Sequence, residues 1–200
     1  MGTLMWLVDL DAEGGDEAAA SAAHPWLDEA ERARAAALTE ADDRRRYVQA
    51  HLVLRRLLGE ARGVLPAEVR IPRSPCLACG DLHGRPVVPG GPHFSLSRSG
   101  RWAAIAIDED ARVGIDIEIA QAASRLEPLR SELLSDGETA GPDGLLRLWV
   151  RKEAYLKATG AGLTRPMSTV GADELRAVVD LELPDGLVGA LATLPTGTGR

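Results

Sequence analysis

At 200 residues, with a hydrophobic fraction of 45% and a formal net charge of -7, the chain has enough apolar content for one packed domain or two small ones. No stretch approaches the roughly 20 consecutive apolar residues of a membrane span, and the net acidity argues against a general nucleic-acid binder. The opening MGTLMWLVDLD has no basic region ahead of its apolar run, so the expectation is a cytoplasmic protein without nucleic-acid or membrane partners, acting as a monomer.

Residues 3 to 9 read as a strand, followed by an acidic, Gly- and Ala-rich loop from Asp11 to Ala23. A helix is expected over about 26 to 38. A second, about 41 to 61, places Tyr47, Ala50, Leu54, Leu57, Leu58 and Ala61 at helical spacing, with Arg44, Arg45, Arg46, Arg55 and Arg56 largely on its other faces. His51 falls on the apolar stripe and reads as a hydrogen-bonded core histidine. Residues 32 to 101 hold 13 Arg against 6 acidic residues, a positive segment in an acidic protein. That balance suits a compact, multiply phosphorylated small molecule, or else marks the solvated faces of helices.

Pro and Gly punctuate residues 72 to 92, where Cys76 and Cys79 stand in PCLACGDLHG with His83 close behind. A C-x-x-C with a nearby His, and His93 as a fourth ligand, fits zinc; a tight turn holding two reduced thiols is the plainer reading. HFSLS, WAAIAI and VGIDIEI follow as short strands, the last two joined by the hairpin link DEDAR. Residues 120 to 142 are weakly patterned. Asp143 suits the cap of a helix that stops at Gly160, short strands and turns continue to about 192, and a Thr/Gly tail follows. The whole reads as an α+β chain of two subdomains, 1-108 and 109-200, joined near 108 to 112.

Chemistry concentrates in two places. In VGIDIEI, Val113, Ile115, Ile117 and Ile119 point to one face of the strand, and Gly114, Asp116 and Glu118 to the other. Strand residues at i and i+2 lie roughly 7 Å apart, so two carboxylates can converge on one hard cation, or simply face solvent on a half-exposed strand. On the later helix, Trp149, Glu153 and Lys157 share one side, with Lys152 about 100° around. Glu153 is a candidate third oxygen ligand and Lys157 a partner for what the metal holds; a surface Glu-Lys pair is the alternative. Lys152 and Lys157 are the only lysines in the chain.

WVRKEAYLKATGAGL together with VGIDIE resembles the paired signature of the 4'-phosphopantetheinyl transferases of the surfactin-synthetase-activating type. The resemblance extends through DDRRRYVQAHLVLRRLLG, HGRP and HFSLSRSG, covering about residues 25 to 170. It implies two similar α+β subdomains in one chain, a pseudo-dimer with the active site between them. By resemblance, Asp116, Glu118 and Glu153 match the magnesium-binding acids, with Asp116 and Glu153 also catalytic, and Lys157 matches the lysine near the reacting phosphate. Lys152 matches the lysine before the glutamate; Arg34, Arg46, Tyr47, Arg85, Ser97 and Arg98 match positions that hold coenzyme A. The implied reaction moves phosphopantetheine from coenzyme A to a serine of an apo acyl or peptidyl carrier protein of polyketide, nonribosomal peptide or fatty acid synthesis. On this reading both lysines address single oxygens of a metal-bound pyrophosphate, where a forked guanidinium would be oversized.

Three departures stand out: Arg98 replaces the usual His, residues 123 to 142 lack the aromatic-then-acidic element between the motifs, and the chain is short. They bear on coenzyme A affinity and on carrier docking. A non-catalytic coenzyme A or carrier-protein binding module and a magnesium-dependent diphosphate hydrolase are the competing classes, and the acidic trio with Lys157 argues against the first.

Overall fold

The computed structural model describes residues 2-12 and 24-196; most of the expected acidic loop and the end of the Thr/Gly tail lie outside them. A continuous apolar run makes strand β1 (Leu4–Asp9), and two helices follow, α1 (Glu29–Ala36) and α2 (Ala41–Arg62). Helix α1 begins later than expected because Asp28 and Glu31 form a reciprocal capping box: Asp28 accepts from the Glu31 amide and Glu31 from the Asp28 amide, each at 2.9 Å. Strands β2 (His93–Ser99), β3 (Trp102–Asp108) and β4 (Ala111–Ile119) come next, then the short turn α3 (Arg130–Leu133) and helix α4 (Pro142–Thr159). Strands β5 (Val178–Asp180) and β6 (Leu187–Pro195) complete the order.

Two antiparallel three-stranded sheets result, in the orders β1-β3-β2 and β4-β6-β5. Strand β3 is buried over almost its whole length, and its alternation divides the core. Ile105 and Ile107 join Phe94 on β2 and Leu54 and Leu58 on α2. Ala104 and Ala106 point the other way, against Val113, Ile115 and Ile117 of β4. Helix α4 packs Val150, Ala154 and Ala158 against Ala190 and Ala192 of β6. Helix, sheet, sheet and helix therefore stack in that order. Among the described residues no helix is long and apolar enough to cross a membrane.

The sheets meet through side chains. The hydroxyls of Ser95, Ser97 and Ser99 on β2 accept from the amides of Ile115, Ile117 and Ile119 on β4, at 3.0, 3.2 and 3.0 Å. These serines occupy alternate positions, so all three face β4 while Phe94 and Leu96 turn toward α2. The seam is a ladder of hydroxyls rather than of main-chain carbonyls.

One arginine departs from expectation. Arg55 is not on a solvated face; it is 1% exposed, donating to Glu31 at 2.7 Å, Asp28 at 2.9 Å and the Val69 carbonyl at 2.9 Å. Removing its partners would strand a charge in the core, so it is a structural tie between α1, α2 and the segment after them.

Gly114 sets how closely α4 approaches β4. A Cβ there would meet the Ala154 carbonyl oxygen at 2.0 Å and the Ala158 nitrogen at 2.4 Å, both backbone atoms that cannot step aside. Gly114→Ala is therefore expected to cost about 3 kcal/mol or more by forcing helix and strand apart, read from the midpoint and slope of urea unfolding. An unchanged midpoint would show that the helix shifts freely.

Candidate functional site

Helix α4 starts at Pro142 behind an N-cap at Gly141, slightly ahead of the expected start. It stops where expected, at Gly160, whose φ of 81° a residue with a side chain rarely adopts. Because β4 alternates and α4 covers its polar face, Asp116 and Glu118 come to share one cleft with Glu153, Lys157 and Trp149. Ser97 and Arg98 of β2 line its other wall, and the cleft measures about 370 Å³.

The acids are oriented by the seam. Ser97 donates its hydroxyl proton to Asp116 Oδ1 at 2.8 Å, and Ser99 donates to Glu118 Oε2 at 2.6 Å. Each of these two serines thus accepts from a β4 amide and donates to a β4 carboxylate. Lys157 Nζ bonds the same Asp116 Oδ1 at 2.6 Å and the Ile115 carbonyl at 3.1 Å. Burial raises the pKa of Glu118 against the pull of the Ser99 hydrogen bond, with Asp116 adding to the rise. Burial likewise raises Glu153, the Asp116 charge adds to it, and Lys157 partly offsets it.

The donor set fits a hard divalent cation. Asp116 Oδ2 is buried without a hydrogen-bond partner, and Glu118 and Glu153 share its cleft with the oxygens a hard cation takes. The trio is not tightly gathered. Among the described residues, only Cys76, Cys79 and His83 place three such ligand atoms all within 4.8 Å of one another, and His93 is outside that group.

Next to the cleft, Arg98 lies over the Tyr47 ring at 5.1 Å, and Tyr47 stacks on His51 at 4.0 Å. Arg34, Tyr47 and His51 line an adjoining hollow of about 420 Å³. His51 and Lys157 also line a third, of about 450 Å³, where Arg85 donates to the Ala158 carbonyl at 3.0 Å with its stem packed on Gly160. Leu96 borders all three spaces. Arg46 is engaged elsewhere: it grips Asp11 at 2.9 and 2.6 Å, and with Arg45 holds that carboxyl well below the usual carboxylate range. Part of the positive segment read from the sequence is thus spent inside the fold.

Lys152 corrects the sequence reading. It is 0% exposed and donates to the Leu133 carbonyl at 2.7 Å, Ser135 Oγ at 3.0 Å and Glu138 Oε2 at 2.6 Å, which uses all three of its protons. Its turn of the helix faces residues 133-138, away from the cleft, so it anchors that segment and has no proton left for a pyrophosphate. The partners Glu138 and Ser135 lie in the stretch with the weakest sequence pattern, where no signal pointed to them. Ser99 and His51 also went unassigned to the site; the S-x-S-x-S alternation in HFSLSRS was the available cue for Ser99.

The sequence model of the 4'-phosphopantetheinyl transferase superfamily matches residues 112–180. The chain is 31% identical over 153 residues to "4'-phosphopantetheinyl transferase Sfp" of Bacillus subtilis (strain 168), covering 70% of this chain and 68% of that protein. It is 33% identical to "4'-phosphopantetheinyl transferase gsp" of Aneurinibacillus migulanus, over 64% of this chain and 58% of the other. With "Phosphopantetheinyl transferase" of Thraustochytrium sp. (strain ATCC 26185 / S-3) it shares 30% identity, over 70% and 56%. The chain thus spans about half to two thirds of the length of the curated relatives it matches.

Lys152→Ala is expected to lose about 3 kcal/mol, because the Glu138 charge and the Leu133 carbonyl are left unpaired; urea unfolding checks this, and a near-neutral result would return Lys152 to solvent. His51 gives a pH signature. Burial lowers its pKa from 6.5 to about 4, with Arg98 and Arg55 adding to the fall and the Tyr47 carbonyl and Asp28 opposing it. Below pH 6.5 the unfolded chain takes up a proton that the folded one refuses until about pH 4, so stability drops as the pH falls through that window and is unaffected above it. Compared with the parent, His51→Phe is expected to lose about 3 kcal/mol less between those limits, as read from unfolding midpoints across the range.

Proposed function

The chain belongs to the 4'-phosphopantetheinyl transferase superfamily, and we propose that it transfers the 4'-phosphopantetheine group of coenzyme A to a serine hydroxyl of an apo acyl or peptidyl carrier protein, releasing adenosine 3',5'-bisphosphate. The observation that carries this reading is the cleft in which Asp116, Glu118, Glu153 and Lys157 face Ser97 and Arg98. Binding alone would not require three carboxylates and a lysine around one space, whereas phosphoryl-type transfer requires positioned charge at that point.

In the proposed complex the 3'-phosphate and pyrophosphate of coenzyme A lie among Arg34, Arg98 and Arg85, which reach the linked hollows from α1, β2 and the segment before β2. Arg98, over the Tyr47 ring, can offer a phosphate two parallel N-H bonds where an imidazole would offer one. Tyr47 supplies the apolar bed for that cation, and Arg46 contributes only if it exchanges Asp11 for a phosphate. Asp116, Glu118 and Glu153 would hold a divalent cation, magnesium by the hardness of their oxygens, whose charge offsets that growing on the leaving phosphate.

Lys157 is placed to give a proton-rich contact to a pyrophosphate oxygen, since its ammonium already stands at the cleft between Asp116 and the Ile115 carbonyl. Glu153 takes the proton of the attacking serine hydroxyl as oxygen bonds phosphorus and the bond to adenosine bisphosphate breaks. The finer architecture belongs to the same proposal. Residues 1-108 and 109-200 form two similar α+β subdomains, a pseudo-dimer with the active site between them; each three-stranded sheet carrying one long helix supports this. The protein would act as a cytoplasmic monomer, serving carriers of polyketide, nonribosomal peptide or fatty acid assembly.

Purified protein given magnesium, coenzyme A and a panel of apo carrier proteins is expected to add one phosphopantetheine mass to a carrier in intact-mass spectra. Asp116→Ala and Glu153→Ala, folded by circular dichroism, should each lower the rate by about 10²-fold or more. Carriers unmodified across a varied panel would leave a non-catalytic binding module, and coenzyme A consumed without an acceptor would leave a hydrolase.

A further inference from the structure

The segment between α2 and β2 folds back on itself as a strap. Ser74 donates its amide to the Arg85 carbonyl at 2.9 Å, Gly84 to the Ser74 carbonyl at 2.8 Å, and Arg73 and Pro86 form a bridge at its base. The tip has little to hold it: Leu77 is 71% exposed and Leu82 74% exposed, so its two large apolar side chains bury almost nothing. Yet the tip is tightly ordered around its thiols. The Cys76 amide donates to the Asp81 carbonyl at 2.8 Å, the Gly80 amide to the Cys76 carbonyl at 2.9 Å, and Gly80 takes a φ of 82° to close the turn.

Cys76, Cys79 and His83 converge inside that turn, all three ligand atoms within 4.8 Å of one another. Cys79 Sγ stands 3.0 Å from His83 Nε2, and both cysteines are free thiols. We propose that this knuckle is a zinc(II) site, with Cys76, Cys79 and His83 as ligands and water at the fourth corner. Two soft sulfurs and an imidazole are the donors zinc prefers, whereas magnesium prefers the carboxylates of the cleft. With Zn-S near 2.3 Å and Zn-N near 2.0 Å, tetrahedral ligands stand about 3.5 to 3.8 Å apart, a spacing this group reaches by small side-chain rotations.

The knuckle is also built for thiolate. The amides of Ala78 and Cys79 point at the Cys76 sulfur, an arrangement that suits a negatively charged ligand atom. Zinc binding displaces the two thiol protons, and the site at the surface leaves the ion an open path in. The consequence is mechanical. The ion ties the two arms of a strap whose tip has no large buried apolar side chain, and the strap leads to Arg85, the guanidinium bonded to the end of α4.

The test is metal content of the full chain, measured by inductively coupled plasma mass spectrometry after loading with zinc chloride and desalting. About one zinc per chain is expected for the parent and a loss of about tenfold or more for Cys79→Ser and for His83→Ala. Asp116→Ala and Glu153→Ala should keep their zinc. Cobalt(II) in place of zinc should give thiolate charge-transfer absorption that both knuckle variants lose. Amides of residues 74-84 should exchange with deuterium faster once a chelator removes the metal, by about tenfold or more. A parent that holds no zinc after loading, zinc retained by both knuckle variants, or a chain lighter by two thiol hydrogens, which marks a Cys76-Cys79 disulfide, would each overturn the proposal.

Discussion

Everything in the cleft depends on three hydroxyls. Two sheets that share no continuous main-chain ladder must still satisfy the buried amides facing the gap, and an unpaired buried amide costs about 1 to 3 kcal/mol. Ser95, Ser97 and Ser99 meet that requirement at every second residue of β4. A hydroxyl that accepts one bond still has a proton to give, and Ser97 and Ser99 give theirs to Asp116 and Glu118. One short side chain type therefore closes the seam and aims two carboxylates. A main-chain ladder would have joined the sheets equally well but left those carboxylates unoriented.

The charges show a similar division of labour. Several arginines serve the scaffold: Arg55 pins α1 to α2, Arg45 and Arg46 hold Asp11, and Arg147 and Arg151 bind Asp180 to fasten α4 to β5. The two lysines, five positions apart on one helix, have opposite fates. Lys152 is sealed in with three acceptors, and Lys157 stands at the cleft, half exposed, beside Asp116. A helical turn advances 100° per residue, so a five-residue offset rotates the second ammonium well away from the first.

The strands and long helices were legible because their periods are strong. The alternation in VGIDIEI gave the faces of β4, the spacing of Glu153 and Lys157 gave one side of α4, and Gly160 gave its end. What the sequence could not convey was partnership across distance. Arg55 looked like one more surface arginine because its partners Glu31 and Asp28 lie more than twenty positions away. Lys152 looked like a ligand to phosphate because it neighbours Glu153, and only the packing of 133-138 beneath α4 assigns it otherwise. The start of α1 was readable after all, since Asp28 and Glu31 carry the capping-box spacing, but an apolar Trp26 and Leu27 drew the expected boundary earlier.

The pairing of β1 carries a consequence for how the chain comes into being. Leu4 lies opposite Ile107 and Asp9 opposite Trp102, so β1 finds its neighbour only after some hundred residues more have been synthesised. At several residues per second that is a wait of many seconds with an apolar edge unpaired. Strand β6 closes the second sheet against β4 across a comparable gap, from Ala111 to Pro195. Vectorial synthesis thus favours completing the first sheet, serine face included, as a finished template on which β4 is then laid.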